Sequence, residues 1–168
     1  FSMDGDGKTV AIDKQPGITL GGYFMHPQSQ GELRIESADP AVPPRIVANY
    51  LSAEADQTAA ISLLKWIRKL AAQPSLKPFL VEELTPGPQV QSDEEMLAAF
   101  RRFGQTAYHV AGTCRMGSDE HSVLDPELKV RGVEGLRVID TSIMPTLVSG
   151  NTNAPAMAIA MRAAEIIA

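Results

Sequence analysis

The apolar positions of this chain repeat with two periods, and the change from one to the other divides it into elements. Helical spacing governs the stretch from about Ala53 to Gln73, where Ala60, Leu63, Leu64, Ile67, Leu70 and Ala71 recur at i, i+3, i+4 and i+7 and predict one buried helix face. Ser52 is placed to cap its start. Glu54 and Asp56 stand in the first turn, where the helix dipole favours anions, and Pro74 lies just beyond the end. A second helix is predicted over Ser92–Gly104. Ser92 and Glu95 have capping-box spacing, Met96, Phe100 and Phe103 share a face, and Gly104 is suited to end it. Both read as covering helices rather than as carriers of chemistry.

Elsewhere alternation replaces helical spacing. In "GELRIES", Gly31–Ser37, Leu33 and Ile35 alternate with Glu32, Arg34 and Glu36, so a strand with one buried face is expected. "DPAVPPRI", Asp39–Ile46, holds Pro40, Pro43 and Pro44 and reads as an extended connector. Nearer the start, the polar turn Asp4-Gly5-Asp6-Gly7 lies between weakly strand-like runs such as Thr9–Ile12. Towards the end, "LRVID", Leu136–Asp140, predicts a short apolar strand, then the loop "TSIMPTLVSGNTN" and a helix over Ala154–Ala168 with Pro155 in its first turn. Arg162 and Glu165 are the only charged residues of that helix, so it calls for burial on most sides. The chain opens on Phe1-Ser2-Met3 and closes inside this apolar pattern. It is therefore expected to be a piece of a larger protein, with the helix's partner elsewhere.

Composition narrows the classes. At 168 residues, with 44% hydrophobic and 21% charged positions, the chain suits one ordinary globular domain with room for a small second lobe. A net charge of -5 and the lack of any Lys/Arg cluster interleaved with aromatics argue against a nucleic-acid partner. No run of about 18 apolar residues is free of charge, which argues against a membrane span. The single cysteine, Cys114, cannot form an internal disulfide, so the chain has no oxidising-compartment signature and the cytoplasm is favoured. Cys114 with His26, His109 and His121 gives no zinc or haem spacing, and no metal site is expected.

Candidate chemistry concentrates in two places. The predicted strand–loop–helix unit delivers Asn151, Thr152 and Asn153 to a helix start, where free N–H groups and a positive dipole end await a ligand. Thr152 or Asn153 serves equally well as a plain helix cap, whereas the amide of Asn151, both donor and acceptor, suits a substrate oxygen. The second place is "TAYHVAGTCRMG", Thr106–Gly117, which presents His109. That residue is either a base or a hydrogen-bonded core histidine, and the residues alone leave both readings open. His26 precedes a proline and His121 sits in the charged turn "SDEHS", so both carry less weight, and Cys114 reads as a small buried residue.

"YHVAGTCRMG", with the later run "SVLDPELKVRGVEGLRVIDTSIMPTLVSGNTNAPAMAIAMRAAEII", resembles the carboxyl-terminal signature of the glucose–methanol–choline oxidoreductases, flavoenzymes that oxidise alcohols. "HPQSQGELRIESADPAVPPRIVANYLS" and "ELTPGPQVQSDEEM" are similar to earlier segments of the same family, in family order, so the resemblance runs from about Gly22 to Ala168. Its wording is nearest the choline and alcohol dehydrogenase branch. The resemblance implies an α+β fold: residues 1–21 lead into a substrate domain over 22–135, an antiparallel sheet with covering helices, and residues 136–168 return as the last strand and helix of an FAD domain. It also implies that His109 is the active-site base and that Asn151 is the second active-site residue, which is His in some members and Asn in others. Asp140 with Thr141, and Thr152 with Asn153, are implied to touch the flavin. The implied cofactor is FAD and the implied substrate a small alcohol. The Gly-x-Gly-x-x-Gly turn that opens the family's FAD domain occurs nowhere in this sequence, and Gly5-Asp6-Gly7 lacks the third glycine. The amino-terminal FAD-binding portion is thus expected as a missing partner from the same protein, and the chain alone is expected to be inactive. An alcohol oxidase, a hydroxynitrile lyase of the same family and a non-catalytic stand-alone module remain the alternatives.

Overall fold

Eighteen residues, Glu54–Ala71, form helix α1, and their apolar spacing explains which face is covered: Ala60 and Leu64 are buried while Trp66, on another face, is 61% exposed. The computed structural model describes Met3–Asp4, Ala11–Ile12 and residues 16–168. Helix α1 starts after Ala53, a residue whose side chain has no oxygen to cap it, so the expected cap at Ser52 is displaced by one position. Its charges follow the dipole, with Glu54 and Asp56 in the first turn and Arg68 and Lys69 in the last. Helix α2, Asp93–Phe103, keeps the predicted capping box. Ser92 Oγ accepts the Glu95 N–H at 3.2 Å, and the Glu95 carboxylate accepts the Ser92 N–H at 2.9 Å. These bonds hold the Glu95 carboxyl below its ordinary range.

Two compact units divide the chain: Phe1–Phe24 with Leu51–Ala107, and Met25–Tyr50 with Tyr108–Ala168. In the first, α1 packs against α2, whose buried residues are Met96 and Ala99, and Lys65 reaches Asp93 at 2.5 Å. The same unit holds a short antiparallel pair, β1 (Met3–Asp4) with β2 (Ala11–Ile12). The predicted turn at Gly5-Asp6-Gly7 lies outside the described residues.

The second unit contains an antiparallel pair, β3 (Glu32–Arg34) with β4 (Arg45–Val47), in which Leu33 faces Ile46. The fold is thus α+β with small antiparallel sheets, as expected. The predicted strand over Gly31–Ser37 shrinks to three residues, and Leu33 and Ile35 are exposed rather than half buried, at 49% and 85%. Leu136–Asp140 forms no strand: Arg137 makes a single bridge to Lys129, and only Val138 of the run packs on the core. A short apolar run becomes a strand when partners bond it along its length. Here one bridge is all it has among the described residues. The core itself gathers Leu124, Leu128, Ile143 and Ala163, with Cys114, Met116, Val130 and Ile159 against it. Helix α3, Asn153–Ile167, joins that core through Ala163 and Ile159, while Met157 and Met161 remain exposed. Its apolar excess thus remains largely uncovered. Among the described residues no helix is long and apolar enough to cross a membrane.

Candidate functional site

Residues 109–116 run beside residues 141–143, and backbone bonds fix the pairing. The Cys114 N–H donates to the Ser142 carbonyl at 3.1 Å and the Met116 N–H to the Ile143 carbonyl at 2.8 Å. Residues 141–143 form a single 3-10 turn, started by Asp140, whose carboxylate accepts the Ser142 N–H at 2.7 Å. Thr141 then reaches across, its hydroxyl donating to the Val110 carbonyl at 3.2 Å, one residue past His109.

Two left-handed residues shape the segment that carries the histidine. Tyr108 has φ of 60° and Gly112 of 90°, so the chain turns sharply just before and just after His109. Such a conformation in a tyrosine is uncommon and costs energy that the surrounding bonds must offset. Gly112 has a stricter requirement. An added methyl would touch only the Met144 carbonyl at an ordinary 3.6 Å, so backbone strain and not crowding is the objection to a side chain there. Gly112→Ala is expected to destabilise the protein by about 1–2 kcal/mol, read from its urea unfolding midpoint at unchanged slope.

The contact that unites the two candidate regions is His109 Nδ1 to Thr152 Oγ1, 3.1 Å, between residues 43 positions apart. His109 is half buried, and Thr152 is 8% exposed. Thr152 occupies the N-cap position of α3, yet its side chain makes no cap hydrogen bond and turns to the imidazole instead. Of the sequence-predicted residues, His109, Thr141 and Thr152 are therefore brought together, through direct bonds or through Val110. Asn151 immediately precedes Thr152, and Asn153 opens the helix, both at the surface. Asp140 is also at the surface and lines an open cleft with Glu32, Leu33, Gly112 and Cys114.

His26, which carries little weight in the sequence, proves to be bonded to the loop that leads into α3. His26 Nε2 lies 2.8 Å from Ser149 Oγ, two residues before Asn151, and so ties a distant segment to the loop that leads into α3. No motif announces this pairing, because 123 positions separate the partners. His121 stays at the surface, and Cys114 is half buried against the core, in keeping with its reading as a packing residue.

The donor set fits a flavin. The first turn of α3 presents the amides of Asn153 and Ala154 with no side-chain cap, at the positive end of the helix, where electron-rich or anionic heterocycle edges are stabilised. Carboxylates of Asp140 and Glu32 along the cleft are acceptors of the kind that polyol hydroxyls require.

Comparison with known proteins identifies the family of the chain. Residues 27–160 match the family model described as GMC oxidoreductase. The chain is 47% identical over 151 residues to the alcohol dehydrogenase [acceptor] of Pseudomonas putida, covering 87% of this chain and 27% of that protein. It is 48% identical over 145 residues to the mitochondrial choline dehydrogenase of Homo sapiens, covering 85% and 24%. Among solved structures, an FAD-dependent oxidoreductase from Chaetomium thermophilum superposes with a TM-score of 0.79 at 33% identity, over 85% of this chain and 25% of that one. The chain spans about a quarter of the length of the relatives it matches.

Proposed function

Because this chain belongs to the GMC oxidoreductases, we propose that it is the carboxyl-terminal part of an FAD-dependent enzyme that oxidises the CH–OH group of small alcohols, with His109 as the base. The observation that carries the reading is the 3.1 Å contact between His109 and Thr152, which joins the histidine motif to the start of α3. A histidine held only by its own loop would serve packing. This one is fixed against the helix terminus that carries the flavin-facing donors.

The chemistry divides between cofactor and chain. FAD, when bound, supplies the acceptor for the hydride that leaves the alcohol carbon. An imidazole suits the accompanying proton, because its ordinary pKa lies near working pH and removal of the hydroxyl proton raises the carbon's hydride-donating power. With Nδ1 engaged by Thr152, the proton goes to Nε2 of His109. Asn151 donates its amide N–H to the substrate oxygen as negative charge grows there. With FAD bound, the amides of Asn153 and Ala154 would hold its ring system, and Asp140 and Thr141 would serve its ribityl chain.

Choline-like and primary alcohols are the substrates of choice for the test, given the names of the relatives. Mixed anaerobically with such an alcohol, the full-length flavoprotein is expected to lose its visible flavin absorbance within the time of a turnover. Persistent absorbance with every alcohol tried would reject the redox reading and leave a lyase or a binding module.

A further inference from the structure

A neutral imidazole carries one proton on two nitrogens, and only the bare nitrogen accepts another from a substrate. In His109 the nitrogen held by Thr152 is Nδ1. Whether that nitrogen donates or accepts depends on what else the Thr152 oxygen is asked to do. An N-cap hydroxyl oxygen ordinarily accepts the backbone N–H of the second or third helical residue. In α3 the third residue is Pro155, which has no N–H, and no side-chain cap bond forms to the second. The proline thus removes the customary donor, and the oxygen keeps acceptor capacity directed at the imidazole. Thr152 is 8% exposed, a setting in which an oxygen without a hydrogen donor is costly.

We propose that Thr152 is the positioning residue of His109: its oxygen accepts the Nδ1–H and thereby selects the tautomer whose Nε2 is bare and takes the alcohol proton. The proposal rests on the reading of His109 as base and adds to Thr152 a duty distinct from flavin contact. The proton balance is simple. The substrate O–H proton moves to Nε2, the Nδ1–H stays where it was, and its bond to Thr152 becomes charge-assisted and stronger as the ring turns cationic. Thr141 and the Cys114–Ser142 bond hold the backbone that follows His109, while the Thr152 hydroxyl meets the ring itself at Nδ1.

The experiment compares the full-length flavoprotein with its Thr152→Ser and Thr152→Val variants. Histidine ring nitrogens are followed by 15N NMR, with His109 assigned by its loss in His109→Gln. The parent is expected to show the Nδ1–H tautomer at pH values where the ring is neutral, and Thr152→Ser is expected to keep both that tautomer and the parent's pH profile of kcat/KM. Thr152→Val keeps the shape but lacks the oxygen. It is expected to shift the ring towards Nε2–H and to lower kcat/KM by about tenfold, the scale of one lost hydrogen bond, at unchanged flavin content. A parent ring protonated on Nε2, or a valine variant with the parent's tautomer and rate, overturns the proposal. Should the valine variant fail to retain flavin, the parent and serine spectra still decide. Ring-nitrogen spectra require no turnover, so failure of this assignment is distinguishable from failure of His109 as base, which His109→Ala alone tests.

Discussion

Replacing His109 by alanine in the full-length flavoprotein is expected to lower kcat by about 10²–10⁴-fold, the range that a positioned general base contributes. The direction follows from which atoms remain. Asn151 and the α3 amides still present donors to the substrate oxygen and the flavin, so alcohol binding and flavin absorbance should persist while the hydroxyl proton loses its acceptor. The ascending limb of kcat/KM against pH reports the free enzyme's base and should flatten in the variant. Added imidazole should restore part of the rate, because the vacated space lies beside a protein oxygen that already binds an imidazole nitrogen. Retention of near-normal turnover in His109→Ala would remove the histidine from the base role. The remaining contacts of residues 109–116 would then be those of an ordinary packed loop.

The legibility of the sequence follows the range of the interactions involved. Helices α1 and α2 were readable because their signals are local: apolar spacing at three and four residues, a Ser92–Glu95 box, a terminal Gly104. Strands depend on partners that the sequence does not display, and the strands of this chain are shorter than their patterns predict. "GELRIES" alternates as a half-buried strand does, but its pairing with β4 stops after three residues and both of its apolar side chains face solvent. "LRVID" has the composition of a short apolar strand, and its one bridge among the described residues, to Lys129, shows that composition without neighbours does not make a strand. At the site, family resemblance pointed to His109 and to the Asn151–Asn153 stretch. The bond that joins them has no periodic signature, and neither does the His26–Ser149 bond on the same loop. Chain separations of 43 and 123 residues leave no local signal near either partner.

The same limit conceals a side-chain clamp in the first unit. Arg68, which the apolar pattern of α1 skips over, sends its guanidinium into a four-bond clamp. Nε and Nη2 donate to the two oxygens of Glu83 at 2.9 Å each, Nη1 to the Val90 carbonyl at 2.6 Å, and Nη2 also to the Gly87 carbonyl at 3.1 Å. The side chains are 21% and 30% exposed, so the pair is shielded well enough for its loss to be felt. The segment from Glu83 to Val90 is rich in proline and has no helix or strand of its own, so few backbone bonds secure it. Arg68→Ala is expected to cost about 2–3 kcal/mol, since it strands a shielded carboxylate and two carbonyls at once. Arg68→Lys should recover only a minor part, because a single ammonium cannot match the planar fork that meets both carboxylate oxygens and two carbonyls. Urea unfolding of the full-length protein gives the magnitude, and limited proteolysis gives the place. Cleavage should increase first between Glu83 and Val90, ahead of any change around His109. An alanine variant with parental unfolding midpoint and parental cleavage would mean that the clamp is a surface ion pair of ordinary, negligible weight.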